Sequence, residues 1–168
     1  MLLDFKIVTN NVKGLSQSSK RLKIFMHLKE LVDQKGILLL QETHSTEATE
    51  GIWKQDFGGD SEIFFSNGTS NARGVATILT GKFNYQVKEQ IKDSQGRFLI
   101  LDVNINGQRF IVANVYHPNT ENDQVLFLQD FKNKLGDLNI DHETQTVIAG
   151  DFNFFFDKKL EATGGNPI

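Results

Sequence analysis

Gly150-Asp151-Phe152-Asn153, directly after the apolar run Val147-Ile148-Ala149, sets a carboxylate and a carboxamide two positions apart. Residues i and i+2 of a strand share a side. Asp151 and Asn153 therefore leave the strand end together, the first suited to activating a water and the second to donating to a phosphate oxygen. The same tetrapeptide also reads as an ordinary strand-to-turn exit in which the Asx side chains cap their own backbone.

Three other apolar runs end in polar side chains. Phe5-Lys6-Ile7-Val8-Thr9 alternates like a half-buried strand and leads to Asn10-Asn11-Val12-Lys13-Gly14-Leu15. Ile37-Leu38-Leu39-Leu40 is continuously apolar and ends at Gln41-Glu42-Thr43-His44. Phe110-Ile111-Val112-Ala113-Asn114-Val115 exits into Tyr116-His117-Pro118-Asn119, where Pro118 stops the strand because it has no N–H to donate. Open α/β sheets carry their sites at strand ends, so Asn11, Glu42, Tyr116, Asp151 and Asn153 are expected to line one depression at a common sheet edge.

These four motifs, in this order and spacing, resemble the endonuclease/exonuclease/phosphatase superfamily, and within it the apurinic-type endonuclease domain of LINE-type (non-LTR) retrotransposons. The resemblance runs from Phe5 onward over essentially the whole chain. It implies an α/β fold of two mixed β-sheets packed face to face with helices outside, a four-layer sandwich. It implies a single domain over 1–168 that lacks its C-terminal strands, since family members carry a further metal-site Asp and a Ser-Asp-His motif after the Gly-Asp-x-Asn strand. The activity it implies is Mg²⁺-dependent phosphodiester hydrolysis, a DNA endonuclease that nicks its target. Two alternatives stand beside that reading: a catalytically inactive remnant, and a phosphatase or RNA-acting member of the superfamily.

The residue types fit such a reaction. Glu42 is the candidate ligand for Mg²⁺, which accepts one or two carboxylates and keeps several waters, with Mn²⁺ as the alternative ion. Asn11 is expected to orient Glu42 or the phosphate, Asp151 to position or deprotonate the water, and Asn153 and Tyr116 to donate to phosphate oxygens. Asn119 is expected to hold the loop or the DNA strand. His44 and His117 titrate in a useful range, but neither matches the family's catalytic histidine. Lys13 stands where some relatives carry a metal-contacting Asp, and a cation there disfavours a second metal.

Composition agrees with an ordinary globular chain of 168 residues, 39% hydrophobic and 23% charged. No apolar run approaches the roughly 20 residues that cross a bilayer, and Asp4 and Lys6 interrupt any signal-peptide core. With no cysteine, disulfides and thiolate metal sites are excluded, and an intracellular location is expected, nuclear if the retrotransposon reading holds. A net charge of −3 argues against gripping nucleic acid by bulk electrostatics. Lys13, Lys20, Arg21, Lys23, Lys29 and Lys35 do gather around the first helix, which reads as a solvated face.

The elements that must position the site follow from periodicity. A helix is expected from Ser18 to about Gln34, capped by Ser18 or Ser19, packing through Leu22, Phe25, Leu28, Leu31 and Val32, and stopped by Gly36. A second helical stretch spans Glu47 to Gln55. Strands are expected over 63–66, 75–79, 85–91, 98–103 and 109–115, with Asn106-Gly107 the strongest hairpin signal. After Asn122 a helix packs through Leu128, Phe131, Leu135 and Leu138. Lys158 to Ile168 has no element signature, and the apolar 154–156 run is expected to need cover.

Overall fold

The computed structural model describes residues 5–33 and 35–153; the expectations for 154–168 lie outside them. The order is β1 (Lys6–Asn11), α1 (Ser18–Val32), β2 (Gly36–Gln41), a 3₁₀ turn (Glu47–Thr49) running into α2 (Glu50–Phe57), β3 (Glu62–Ser66), β4 (Val75–Leu79), β5 (Tyr85–Lys92), β6 (Phe98–Ile105), β7 (Gln108–Tyr116), α3 (Glu121–Gly136) and β8 (Gln145–Asp151). Two four-stranded sheets result, ordered β1-β2-β4-β3 and β5-β6-β7-β8. Both are mixed: β1 runs parallel to β2 and β8 parallel to β7, while the other pairs are antiparallel. This is the expected α/β sandwich.

Three apolar layers account for it. Strand β2 is buried along its whole length, which is why it reads as an unbroken apolar run. Leu38 and Leu40 face outward and pack with Phe25, Leu28, Val32, Trp53 and Phe57 of α1 and α2. Ile37 and Leu39, on the other face, meet Leu101, Val103, Ile105 and Val112 between the sheets. Ile111, Ala113 and Val115 of β7 point the opposite way, under Phe127 and Phe131 of α3. Each fully buried side chain of this size contributes roughly 1.5–3 kcal/mol.

The sheets are also joined by polar bonds. Asn114 of β7 is fully buried; its Nδ2 donates to the carbonyls of Leu40 and Ala76, 3.1 and 3.0 Å away on the facing sheet. Its Oδ1 accepts from Gln41 Nε2 at 2.8 Å. One amide thus touches β2 and β4 at the end where the polar motifs emerge.

Several local expectations are corrected. Gln17, with no side-chain cap bond, is the N-cap of α1, and the helix stops at Asp33 in the left-handed region, so Gly36 opens β2 instead. Leu22, Leu31 and Leu128 are exposed. The α1 contact face is Arg21, Phe25, Leu28 and Val32, a stripe that includes a buried arginine because Asp56 of α2 pairs with it at 2.5 Å. On α3 Phe127 takes the place expected of Leu128. The basic cluster is not simply a solvated face either: Arg21 is buried, Lys29 bonds the Phe57 carbonyl, and Lys20 Nζ donates to the carbonyls of Val12, Lys13 and Gly14 at 2.8–2.9 Å. Asn106-Gly107 forms the β6–β7 turn as expected, both residues at positive φ.

Replacing Asn114 by Ala removes both inter-sheet donors and the acceptor of Gln41. We expect a loss of about 2–4 kcal/mol of unfolding free energy in urea. A loss under about 1 kcal/mol would mean that apolar packing alone sets the sheet spacing.

Candidate active site

Parallel pairing decides where the polar motifs arrive. In β1 and β2, Asn11 lies opposite Gln41, and Glu42 follows immediately. In β7 and β8, Tyr116 lies opposite Asp151. Because β1 and β8 are each at an edge of their sheet among the described residues, and the two edges contact each other, both pairs open at one end of the sandwich.

The closest junction is a hydrogen bond between the sheets: Asn11 Nδ2 donates to Asp151 Oδ2 at 2.8 Å, across 140 residues of sequence. Asp151 Oδ1 accepts the backbone N–H of Asn153 at 3.1 Å, and the Asp151 carbonyl accepts the N–H of His117 at 2.8 Å. Asn153, at φ 47, donates from Nδ2 to the His117 carbonyl at 2.7 Å. The carboxylate is therefore aimed by both neighbours and not free to swing. The Asx-turn reading of Asp151 is correct as local geometry, since its oxygen does cap Asn153. Asn11 has Asp151 as its partner where Glu42 or the phosphate was expected, and its own Oδ1 accepts from the Lys13 N–H at 3.0 Å.

Gly150 makes this approach possible. Its φ is +149, and a Cβ there would lie 1.9 Å from the Val115 carbonyl oxygen. Only a glycine lets β8 run that close to β7 just before Asp151.

Glu42 and Tyr116 join the group electrostatically. The Tyr116 phenol is held above its ordinary 10.0, first by burial, then by the Glu42 carboxylate, with Asp151 adding and the Arg97 cation opposing. Arg97, not singled out in the sequence, lies over the Tyr116 ring at 5.2 Å and accepts the Tyr116 N–H on its carbonyl at 2.7 Å. Its guanidinium is pushed below its ordinary value by burial and then by Arg73. Two arginines are brought together because Gly74 N–H donates to the Gly96 carbonyl at 3.0 Å, tying the β3–β4 and β5–β6 loops. A sequence signal existed only in retrospect: each arginine adjoins one of these loop glycines.

His117 is structural. It is fully buried, its Nδ1 within 3.0 Å of the Pro118 carbonyl and its ring edge-on to Phe127, and burial pushes it below its ordinary 6.5. Asn119 is exposed in the bend between β7 and α3, and no hydrogen bond among the described residues joins it to Asn11, Asp151 or Asn153.

No family model matches the chain. A Xenopus laevis transposon TX1 uncharacterized 149 kDa protein is 28% identical over 153 residues, 91% of this chain and 11% of that protein. The chain thus spans about a tenth of the length of the curated relative it matches. Among solved structures, Danio rerio TDP2 complexed with a single-strand DNA product superposes with a TM-score of 0.63 at 18% identity, over 96% of this chain and 65% of that one. A Bacteroides thetaiotaomicron endonuclease/exonuclease/phosphatase family protein gives a TM-score of 0.62 at 10% identity, over 88% of this chain and 61% of that one. The chain has the endonuclease/exonuclease/phosphatase fold. In that fold the site described above occupies the open end where the inner edges of both sheets meet, and no helix among the described residues is long and apolar enough to cross a membrane.

Both tyrosines, Tyr85 and Tyr116, are raised above 10.0 in the folded chain. The fold favours the neutral phenol, so these groups leave stability unchanged below the unfolded value and erode it as pH rises past 10. Urea midpoints should fall through that range, and Tyr116→Phe should flatten part of the fall. An unaltered slope in the variant would show that Tyr116 ionises as freely as in water.

Proposed function

We propose that this chain is a DNA endonuclease domain of retrotransposon type, hydrolysing phosphodiesters with a divalent cation, Mg²⁺, held at Glu42, and acting on nuclear DNA. The observation that carries the reading is the Asn11–Asp151 bond, which aims a carboxylate into the mouth shared by Glu42 and Tyr116. The motif order, the transposon relative and the fold support it.

The residues fit such an ion. Glu42 is a partly exposed carboxylate in a strained conformation, φ 55, at a strand end. A single strand-end carboxylate of this kind suits Mg²⁺, which binds through one or two carboxylates and retains its waters. When bound, the ion supplies Lewis-acid stabilisation of charge on the phosphoryl oxygens. Asp151 accepts the proton of the attacking water as the new oxygen–phosphorus bond forms, and the 3′-oxygen leaves with its bonding pair and takes a proton from solvent. Asn11 holds the carboxylate in position for this. Asn153 commits one N–H to His117 and has a second for a phosphate oxygen. Tyr116 stays protonated at neutral pH and donates. Arg73 and Arg97 supply the local positive charge that the net −3 does not, and Asn119 contacts the strand beyond.

The test is nicking of supercoiled plasmid in Mg²⁺ by the chain. Asp151→Asn should lower nicking by roughly 10²–10⁴-fold, and Glu42→Ala should weaken Mg²⁺ binding in a folded protein. Plasmid left intact, with RNA or a small phosphoester cleaved, would move the assignment to the other branch of the superfamily; no cleavage of any of these would leave a non-catalytic binder.

Substituting Arg97 by Ala should weaken binding uniformly across DNA sequences and reduce the salt dependence of binding by about one unit of slope. An unchanged slope would remove Arg97 from the DNA path.

A further inference from the structure

We infer that His44 supplies a nitrogen ligand beside Glu42, which gives the cation site an added affinity for transition ions such as Mn²⁺ that Mg²⁺ does not share. This rests on the reading that Glu42 holds the cation, and goes beyond it by naming a second protein ligand and the class of metal. His44 Nε2 stands 3.9 Å from Glu42 Oε1, beyond hydrogen-bond reach. Metal–ligand bonds of roughly 2.0–2.2 Å place two donors on one ion about 3–4 Å apart, so the gap is of the size an ion bridges.

Four further observations indicate that the pair is built. The Nε2 atom is buried and has no hydrogen-bond partner among the described residues; an orphaned buried polar atom costs about 1–3 kcal/mol, which a ligand would offset. Glu42 and His44 are both in the left-handed region, φ 55 and 56, a conformation that residues with a Cβ adopt at a cost of roughly 1–2 kcal/mol and that clusters at ligand sites. The loop between them is pinned from two directions: Gly14 and Leu15 donate to the carbonyls of Glu42 and Thr43, while Thr43 and His44 donate to those of Gly74 and Arg73. The imidazole is seated against Gly14, where a Cβ would come within 2.6 Å of Nδ1. Gly14 is therefore the space the ring occupies, and a larger residue there would displace the ring from Glu42. Imidazole nitrogen favours transition ions, whereas Mg²⁺ keeps to oxygen.

Mn²⁺ binding followed by electron paramagnetic resonance tests this. Pulsed measurement of the wild-type chain should show ¹⁴N coupling that becomes ¹⁵N coupling when histidine alone is ¹⁵N-labelled, a readout that needs no variant to fold. His44→Ala should lose that coupling and bind Mn²⁺ on the order of tenfold more weakly, with little change for Mg²⁺. Mn²⁺ held in a Glu42-dependent way without histidine coupling, or with coupling that survives His44→Ala, would overturn the role of His44 and leave the Glu42 reading standing. Mn²⁺ binding that is absent, or indifferent to Glu42→Ala, would overturn both.

Discussion

The buried amide of Asn114 is the constraint on which the rest depends. It is a polar group in an apolar layer, and it is tolerated because its Nδ2 donates to carbonyls of β2 and β4 and its Oδ1 accepts from Gln41 across the interface. Apolar packing brings two sheets together without specifying how far one slides on the other. A donor that must reach two particular carbonyls does specify it. With that alignment set, β1 lies against β8, and Asn11 comes within 2.8 Å of Asp151. The hydrogen bond that aims the carboxylate is thus a consequence of one formed deeper in the interface.

Backbone strain is concentrated at the same end. Lys13, Glu42, His44, Arg73 and Asn153 all have positive φ, and Gly14, Gly74 and Gly150 stand among them. Each strained residue is held by backbone or side-chain bonds to a neighbouring strand end, so the core contributes the stability that the loops give up. Lysine 20 has a related part: its ammonium gathers three successive carbonyls of the β1–α1 loop and keeps that loop closed behind Asn11.

Charge is arranged by sign around this mouth. Glu42 and Asp151 raise the proton affinity of Tyr116 from one side, and Arg97 opposes them from the other. Of the basic residues that stand out in the sequence, Lys20, Arg21 and Lys29 are used as struts for α1 and the loop before it, and the cation that lies over Tyr116 comes from the β5–β6 loop, beside Arg73 of the β3–β4 loop. A local patch of this kind reconciles an acidic chain with the phosphodiester substrate proposed for it, because screening makes nearby charges count for more than the total.

By itself the sequence determined the elements and the ends from which chemistry could issue. Alternation, the continuous apolar run of β2 and the Asn106-Gly107 turn are local signals, since side-chain direction repeats every two residues in a strand and a two-residue turn needs positive φ. The strand-end positions of Asn11, Glu42, Tyr116, Asp151 and Asn153 were legible for the same reason. Helix faces were less so: Leu22, Leu31 and Leu128 satisfy the helical period but lose to Arg21 and Phe127, because which side is buried depends on the partner surface and not on the helix alone. The pairing of Asn11 with Asp151, the approach of Arg73 to Arg97 and the seating of His44 on Gly14 were decided only by tertiary structure. Each joins residues from different strands or loops, and such distances follow from how the sheets align and the loops lock, which no local pattern encodes.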